Sequence, residues 1–244
     1  YDNQAEKEIE EGEFKGDFEG FDPTILSSYS FCYQLLEKHC KDKTILDYGC
    51  GNGVHSIFLA KLGKKVIGID LSQKAISLAK KKIKINNLEE KTDFLVMDCE
   101  SLGFPDNHFD VIFDGGTFSS LDLEKALPEL SRVLKEDGLL IGIETLGHNP
   151  LTNLKRKVNK KVGKRTEWAV EHIVKMEDFK KANNYFEKVE NHYFHLISWI
   201  VFPFLRFPGF IYLLRFLEGI EKILLRSSFL KKYAFKTVFI FSKK

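Results

Sequence analysis

The chain has 244 residues, 43% hydrophobic and 30% charged, which is ample for one α/β domain with additions. A formal net charge of +2 makes no global case for a nucleic-acid partner. The four cysteines (Cys32, Cys40, Cys50, Cys99) form no C-x-x-C pair, so they read as free thiols of a reducing compartment, not as a disulfide frame or a zinc site.

Residues 1 to about 22 are rich in Glu, Asp and Gly and read as a loosely docked leader. They open acidic, without the basic-then-apolar pattern of a secretory signal, so a cytoplasmic location is expected. Pro23 then starts a helical pattern carried by Ile25, Leu26, Tyr29, Cys32, Leu35 and Leu36. Thr44-Ile45-Leu46 is a short apolar strand that ends at Asp47. Gly49, Gly51 and Gly53 follow at alternate positions, and a second helical pattern begins at Val54.

The spacing of that loop selects its ligand. A dinucleotide turn reads G-x-G-x-x-G and receives a pyrophosphate. Here an acid precedes three alternating glycines. Asp47 repels a phosphate and suits an ammonium group, while bare backbone lets the ligand approach closely. S-adenosylmethionine has that chemistry: an amino acid at one end, adenosine at the other, and no phosphate.

The second strand, Lys65 to Asp70, ends in an acid about twenty residues beyond the loop, where a carboxylate accepts hydrogen bonds from a ribose. After Leu71, Ser72 is a plausible N-cap for a helix through Ile83 whose lysines (Lys80, Lys81, Lys82, Lys84) read as a solvated face. The third strand, Thr92 to Met97, ends at Asp98-Cys99-Glu100. The fourth ends at Asp114-Gly115-Gly116. A helix over Leu123–Leu134 stops at Lys135-Glu-Asp-Gly138, and the fifth strand runs from Leu139 to Glu144.

In this order, the loop Asp47-x-Gly49-x-Gly51-x-Gly53, the strand-end acids and the segment from Leu130 to Ile141 resemble the class I S-adenosylmethionine-dependent methyltransferases. They are most similar to the small-molecule branch that includes the ubiquinone and menaquinone enzymes. The resemblance covers roughly residues 40 to 145. It implies a doubly wound, Rossmann-like seven-stranded sheet with the last strand antiparallel. It divides the chain into a leader and cap helix at 1–40, a cofactor core at 41–145 and a substrate-side segment at 146–244.

The implied cofactor is S-adenosylmethionine, without a metal. Asp47, Gly49, Cys50, Gly51 and Gly53 belong to its methionine end, Asp70 and Leu71 to its ribose, Asp98 and Cys99 to its adenine, and Asp114 to the strand end beside it. The cap helix packs over the cofactor, so Tyr29 or Tyr33 reaches the site, although both read first as helix core. The fourth strand lacks the Asn/Asp-Pro-Pro-Tyr/Phe element of amino-base methylation, and the chain lacks the Pro-Cys pair of cytosine C5 enzymes, so nucleic acid is a disfavoured substrate.

The acceptor side is less defined. A base for methyl transfer at oxygen is sought among His172 and His148, then Glu144, His192 and His195. Residues 153–165 are strongly basic. Strands are expected at Phe186 to about Leu196 and Tyr233 to Phe241, separated by an apolar helical insertion at about 197–232. Within it, Pro203, Pro208 and Gly209 break a greasy run, and Tyr212 to Arg226 forms an amphipathic helix. The insertion reads as a lid or homodimer interface, or as a surface that meets a membrane and a lipid-linked acceptor. Two other functions fit the pattern: a cofactor-binding or membrane-docked subunit without catalysis, and an RNA methyltransferase using the basic run.

Overall fold

A computed structural model describes residues 23–150, 152–153, 173–205, 207 and 209–243. The expectations for the leader, the basic run and His172 lie outside those residues. The sheet has seven strands: β1 Thr44–Tyr48, β2 Lys65–Asp70, β3 Thr92–Val96, β4 Phe109–Asp114, β5 Leu134–Thr145, β6 Lys188–Phe194 and β7 Lys236–Ser242. Their order is β3-β2-β1-β4-β5-β7-β6. Only β7 runs against its neighbours, pairing antiparallel with both β5 and β6.

Chain order explains where a ligand sits. From β1 the chain moves outward to β2 and β3, then returns to place β4 on the other side of β1. Connections therefore leave β1 and β4 in opposite directions, and the crevice opens between their carboxyl ends. Asp47-Tyr48-Gly49 and Asp114-Gly115-Gly116 stand at that crevice.

Strand alternation sorts the core into two faces. On β1, Ile45 joins one apolar cluster and Leu46 with Tyr48 the other. The first face is covered by α1 Ser27–His39 and α2 Val54–Leu62, through Tyr29, Cys32, Leu36, Leu59 and Ala60. The second is covered by α4 Leu123–Val133 and α5 Met176–Lys181, through Ala126, Leu127, Leu130 and Phe179. Between these, α3 Gln73–Ile85 packs on Phe94 of β3. Its cap is the one the sequence suggests, since Ser72 Oγ accepts the Ala75 N–H at 3.1 Å. One lysine of its expected solvated face, Lys82, is instead buried.

One boundary differs from expectation. The helix stop at Lys135–Gly138 lies inside β5, because Leu134 already pairs with Phe109 before the ladder resumes at Val111–Leu139. Asp137 takes a left-handed conformation in the intervening bulge (φ 60°). The insertion between β6 and β7 contains a 3₁₀ segment at Ser198–Phe204, then α6 Phe210–Leu224 and α7 Ser228–Lys231. No helix among the described residues is long and apolar enough to cross a membrane.

Helix α6 carries apolar residues on both sides: Leu214 is buried with Phe210, Ile211 and Leu217 packed on the same core, and a second apolar stripe faces outward. Its carboxylates Glu218 and Glu221 are 6% and 3% exposed, while Tyr212, Phe216 and Ile223 are 78%, 65% and 67% exposed. The cause is polar satisfaction. Glu221 accepts the N–H groups of Ile197 and Ser198 and the hydroxyl of Ser198, and Glu218 accepts the Ser27 N–H at the start of α1. Withdrawing either carboxylate strands buried donors, so the helix keeps these residues inward beside Leu214 and leaves its second apolar stripe outward.

Candidate active site

The glycine loop is shaped by two constraints. Gly49, Gly51 and Gly53 all have positive φ (68°, 52° and 77°), a region that side chains disfavour. At Gly49 the constraint is also steric, because a Cβ there would lie 2.1 Å from Thr117 Oγ1, next to the end of β4. At Gly51 it is the reverse: nothing lies within 4 Å of a Cβ position. The loop thus packs tightly at Gly49 and presents bare backbone to open space at Gly51, which is what a close-fitting ligand requires.

Asp70 holds this loop to the end of β2. Its Oδ2 accepts the Gly51 N–H at 3.0 Å and its Oδ1 accepts the Ser72 N–H at 2.8 Å. The carboxylate is only half-buried, which leaves it accepting capacity beyond these two bonds. The turn after β3, where the adenine is expected, is tied to the same framework, since Tyr48 Oη donates to the Cys99 carbonyl at 2.6 Å. Asp98 is exposed and its Oδ1 accepts the Glu100 N–H, while Cys99 is buried. Leu71 is 71% exposed beside Asp70, available to cover a planar ring. Cys50 is a buried thiol raised well above its usual pKa by burial, and serves as loop packing.

Asp47 behaves differently from the ammonium contact expected of it. It shares a strand face with Ile45, so it points beneath α2, where it is 1% exposed and its Oδ2 accepts Ser56 Oγ at 2.5 Å. Burial pushes its carboxyl up to about 7. The residue braces loop to helix. A folded-state pKa above the unfolded one means that stability is lost as pH rises through 7, at a cost of order 4 kcal/mol once ionised. Asp47→Asn is therefore expected to melt higher than the parent at pH 8, with the advantage shrinking toward pH 5, in thermal scans across that range.

At the end of β4, Asp114 Oδ1 accepts the Thr117 N–H at 2.8 Å, but its buried Oδ2 has no hydrogen-bond partner among the described residues. Burial, then the nearby Glu144, raises its carboxyl well above the usual range. Glu144, at the end of β5, is also raised by burial and accepts the Ser119 N–H at 3.1 Å. A buried carboxyl with an unmatched oxygen at the switch point fits a bound polar ligand, since orphaned buried polar groups are rare.

The wall facing this crevice contains a residue that reading the sequence missed. His55 sits in the first turn of α2, two positions after the last glycine. Its Nδ1 is 2.9 Å from Tyr33 Oη, its ring stacks 6.4 Å from Tyr29, and its Cδ2 and Nε2 lie 3.0 and 3.4 Å from where a Cβ of Gly115 would stand. Lys236 Nζ donates to Tyr29 Oη at 3.3 Å. Tyr29 and Tyr33 are thus core residues whose polar ends reach the crevice.

The histidines chosen from the sequence are placed elsewhere. His148 Nε2 accepts the Met176 N–H at 3.1 Å and lies 3.4 Å from Glu177, so it closes the start of α5. His195 is fully buried between Ser28 and Ser198, and burial lowers it to about 3, so it stays neutral. His192 packs its ring 4.7 Å from Phe31. His172 is outside the described residues. Among the described residues no His, Cys, Asp or Glu cluster is arranged to hold a metal.

Comparisons with known proteins agree with this geometry. Residues 46–142 match a family model described as a methyltransferase domain. A demethylmenaquinone methyltransferase of Bacteroides fragilis is 36% identical over 110 residues, which is 44% of this chain and 45% of that protein. A malonyl-[acyl-carrier protein] O-methyltransferase of Yersinia pestis is 29% identical over 188 residues, 77% of this chain and 63% of its own length. The chain spans about half the length of the curated relatives it matches first. Among solved structures, the geranyl diphosphate C-methyltransferase of Streptomyces coelicolor A3(2) superposes with a TM-score of 0.62 at 16% identity, covering 88% of this chain and 81% of that one, which shows the shared fold. Matched domain, strand order and loop point the same way: residues 46–142 are a methyltransferase domain, set in a sheet with the class I methyltransferase fold.

Proposed function

We propose that the protein transfers a methyl group from S-adenosylmethionine to a small or lipid-linked acceptor, at an oxygen atom. The observation that carries this reading is the meeting, at one switch point, of a bare-backbone loop pinned by Asp70 with the His55–Tyr33 pair. When bound, S-adenosylmethionine supplies a methyl group on a positively charged sulfur.

The chain supplies the rest. Gly51 leaves room for the ligand, and Asp70 fixes the ribose. His55 accepts the acceptor's hydroxyl proton on the side that faces Gly115, and Tyr33 orients the ring through Nδ1. Tyr29, Phe58 and Phe113 keep water from the reacting atoms. Water exclusion favours a transfer in which charge is dispersed. An acceptor of low polarity is supported by the name of one relative, a demethylmenaquinone methyltransferase, and transfer at oxygen by that of another, a malonyl-[acyl-carrier protein] O-methyltransferase. A cytoplasmic protein that meets membranes through its insertion is part of the same reading.

The test is incubation with methyl-labelled S-adenosylmethionine and a cell extract. Label is expected in a solvent-extractable product as a methyl ether or ester by mass spectrometry, unchanged by ribonuclease. Label confined to ribonuclease-sensitive material overturns the acceptor class.

A further inference from the structure

The outward stripe of α6 is an apolar face in search of a partner, and its charge pattern identifies one. Tyr212, Phe216 and Ile223 recur at spacings of four and seven, so they share one side of the helix. Arg215, Lys222 and Arg226 lie along one flank of that side and are exposed. From Ile197 to Lys244 the only acids are Glu218 and Glu221, and both are buried on the opposite side. What this surface shows to the outside is aromatic, aliphatic and cationic, with no exposed carboxylate among its described residues.

We infer that α6 docks the protein on an anionic lipid bilayer, lying in the plane of the interface with Tyr212, Phe216 and Ile223 inserted and its cations at the headgroups. Lipid anions satisfy a cation-rimmed apolar face as interfacial helices do. A second copy of the chain suits it poorly. A two-fold contact would set Lys222 and Arg226 against their own copies with no exposed acid to match, Arg215 being paired with Glu218. The orientation is fixed rather than adaptable, because Glu221 is held by Ile197 and Ser198, and Glu218 by Ser27 and Arg215. Through Ser27 the docking helix is joined to α1, which carries Tyr29 and Tyr33 to the crevice. A bilayer-bound α6 thus places the cap of the site at the membrane surface, where a lipid-linked acceptor resides. The docking itself stands on the insertion alone, so its test does not depend on methyl transfer.

The test is co-sedimentation of the full chain with vesicles of mixed phosphatidylglycerol and phosphatidylcholine, against pure phosphatidylcholine. Wild type is expected to sediment with the mixed vesicles and to dissociate as salt is raised. Phe216→Asp with Ile223→Asp is expected to abolish sedimentation. Lys222→Gln with Arg226→Gln is expected to weaken it about 25-fold, at roughly fivefold per cation. Lys80→Gln with Lys81→Gln, on exposed residues of α3, leaves it unchanged. Unaltered S-adenosylhomocysteine binding by each variant shows that the fold persists. Three results overturn the inference: no sedimentation of wild type, equal partition to both vesicle types, or a dimer that the aspartates dissociate while vesicle binding is absent.

Discussion

Replacing Asp70 by alanine is expected to weaken S-adenosylhomocysteine binding by about 100-fold or more, the largest effect on the cofactor side. Two losses combine. The ribose loses a charged acceptor, whose hydrogen bonds are each worth about 1.5–3 kcal/mol when buried. The loop also loses its tether, because Asp70 accepts the N–H groups of Gly51 and Ser72. Gly51 then samples conformations in which its backbone no longer faces the ligand. Asp70→Asn separates the two losses. It keeps one accepting oxygen and is expected to recover only part of the affinity. Equilibrium dialysis with labelled S-adenosylhomocysteine measures both variants, and circular dichroism shows whether the sheet persists.

Replacing His55 by alanine is expected to lower kcat by about 100-fold or more while leaving the KM for S-adenosylmethionine near its parent value, since general-base contributions fall in that range. The split matters. His55 is in the first turn of α2, beyond the loop's ligand-facing glycine, and its carbon edge adjoins Gly115 at the end of β4. A residue there acts on the acceptor more than on the adenosyl group. Tyr33→Phe removes the hydroxyl at His55 Nδ1 and is expected to cost about tenfold in kcat and to shift the acidic limb of the kcat profile. Steady-state rates across pH for the three proteins check this. Equal losses in every kinetic constant assign His55 to folding instead of proton transfer.

How much of this was legible before the structure follows from what local pattern encodes. Asp47 to Gly53, Asp70, Asp98 and Asp114 were legible because a buried parallel strand is a short apolar run, and a strand-end acid interrupts it visibly. The same pattern did not reveal which way Asp47 points. Counting from Ile45 by twos puts it under α2, and that alternation was available in the sequence. His55 follows the last glycine by two positions, but its contact with Gly115 joins β1's loop to the end of β4, and no local pattern encodes that approach.

The insertion was the harder case. An amphipathic helix normally turns its apolar stripe inward. In α6 the inward side is set by Glu221 accepting two backbone N–H groups from residues 197 and 198, and by Glu218 meeting Ser27. Those partners are distant in sequence, so no periodicity points to them. His195 is a similar instance: its left-handed backbone (φ 62°) and its burial between two serines depend on α1, far upstream. Tertiary hydrogen bonds, not propensity, decided both.

The claim on which the proposed function depends is that the crevice between β1 and β4 binds an adenosylmethionine-type ligand. Isothermal titration of the full chain with S-adenosylhomocysteine, with Asp70→Ala alongside, tests it most directly. The account predicts one saturable site with a dissociation constant on the order of micromolar for wild type and a severe loss for the variant. An absence of saturable heat with folded wild-type protein, or equal affinity in both proteins, contradicts it.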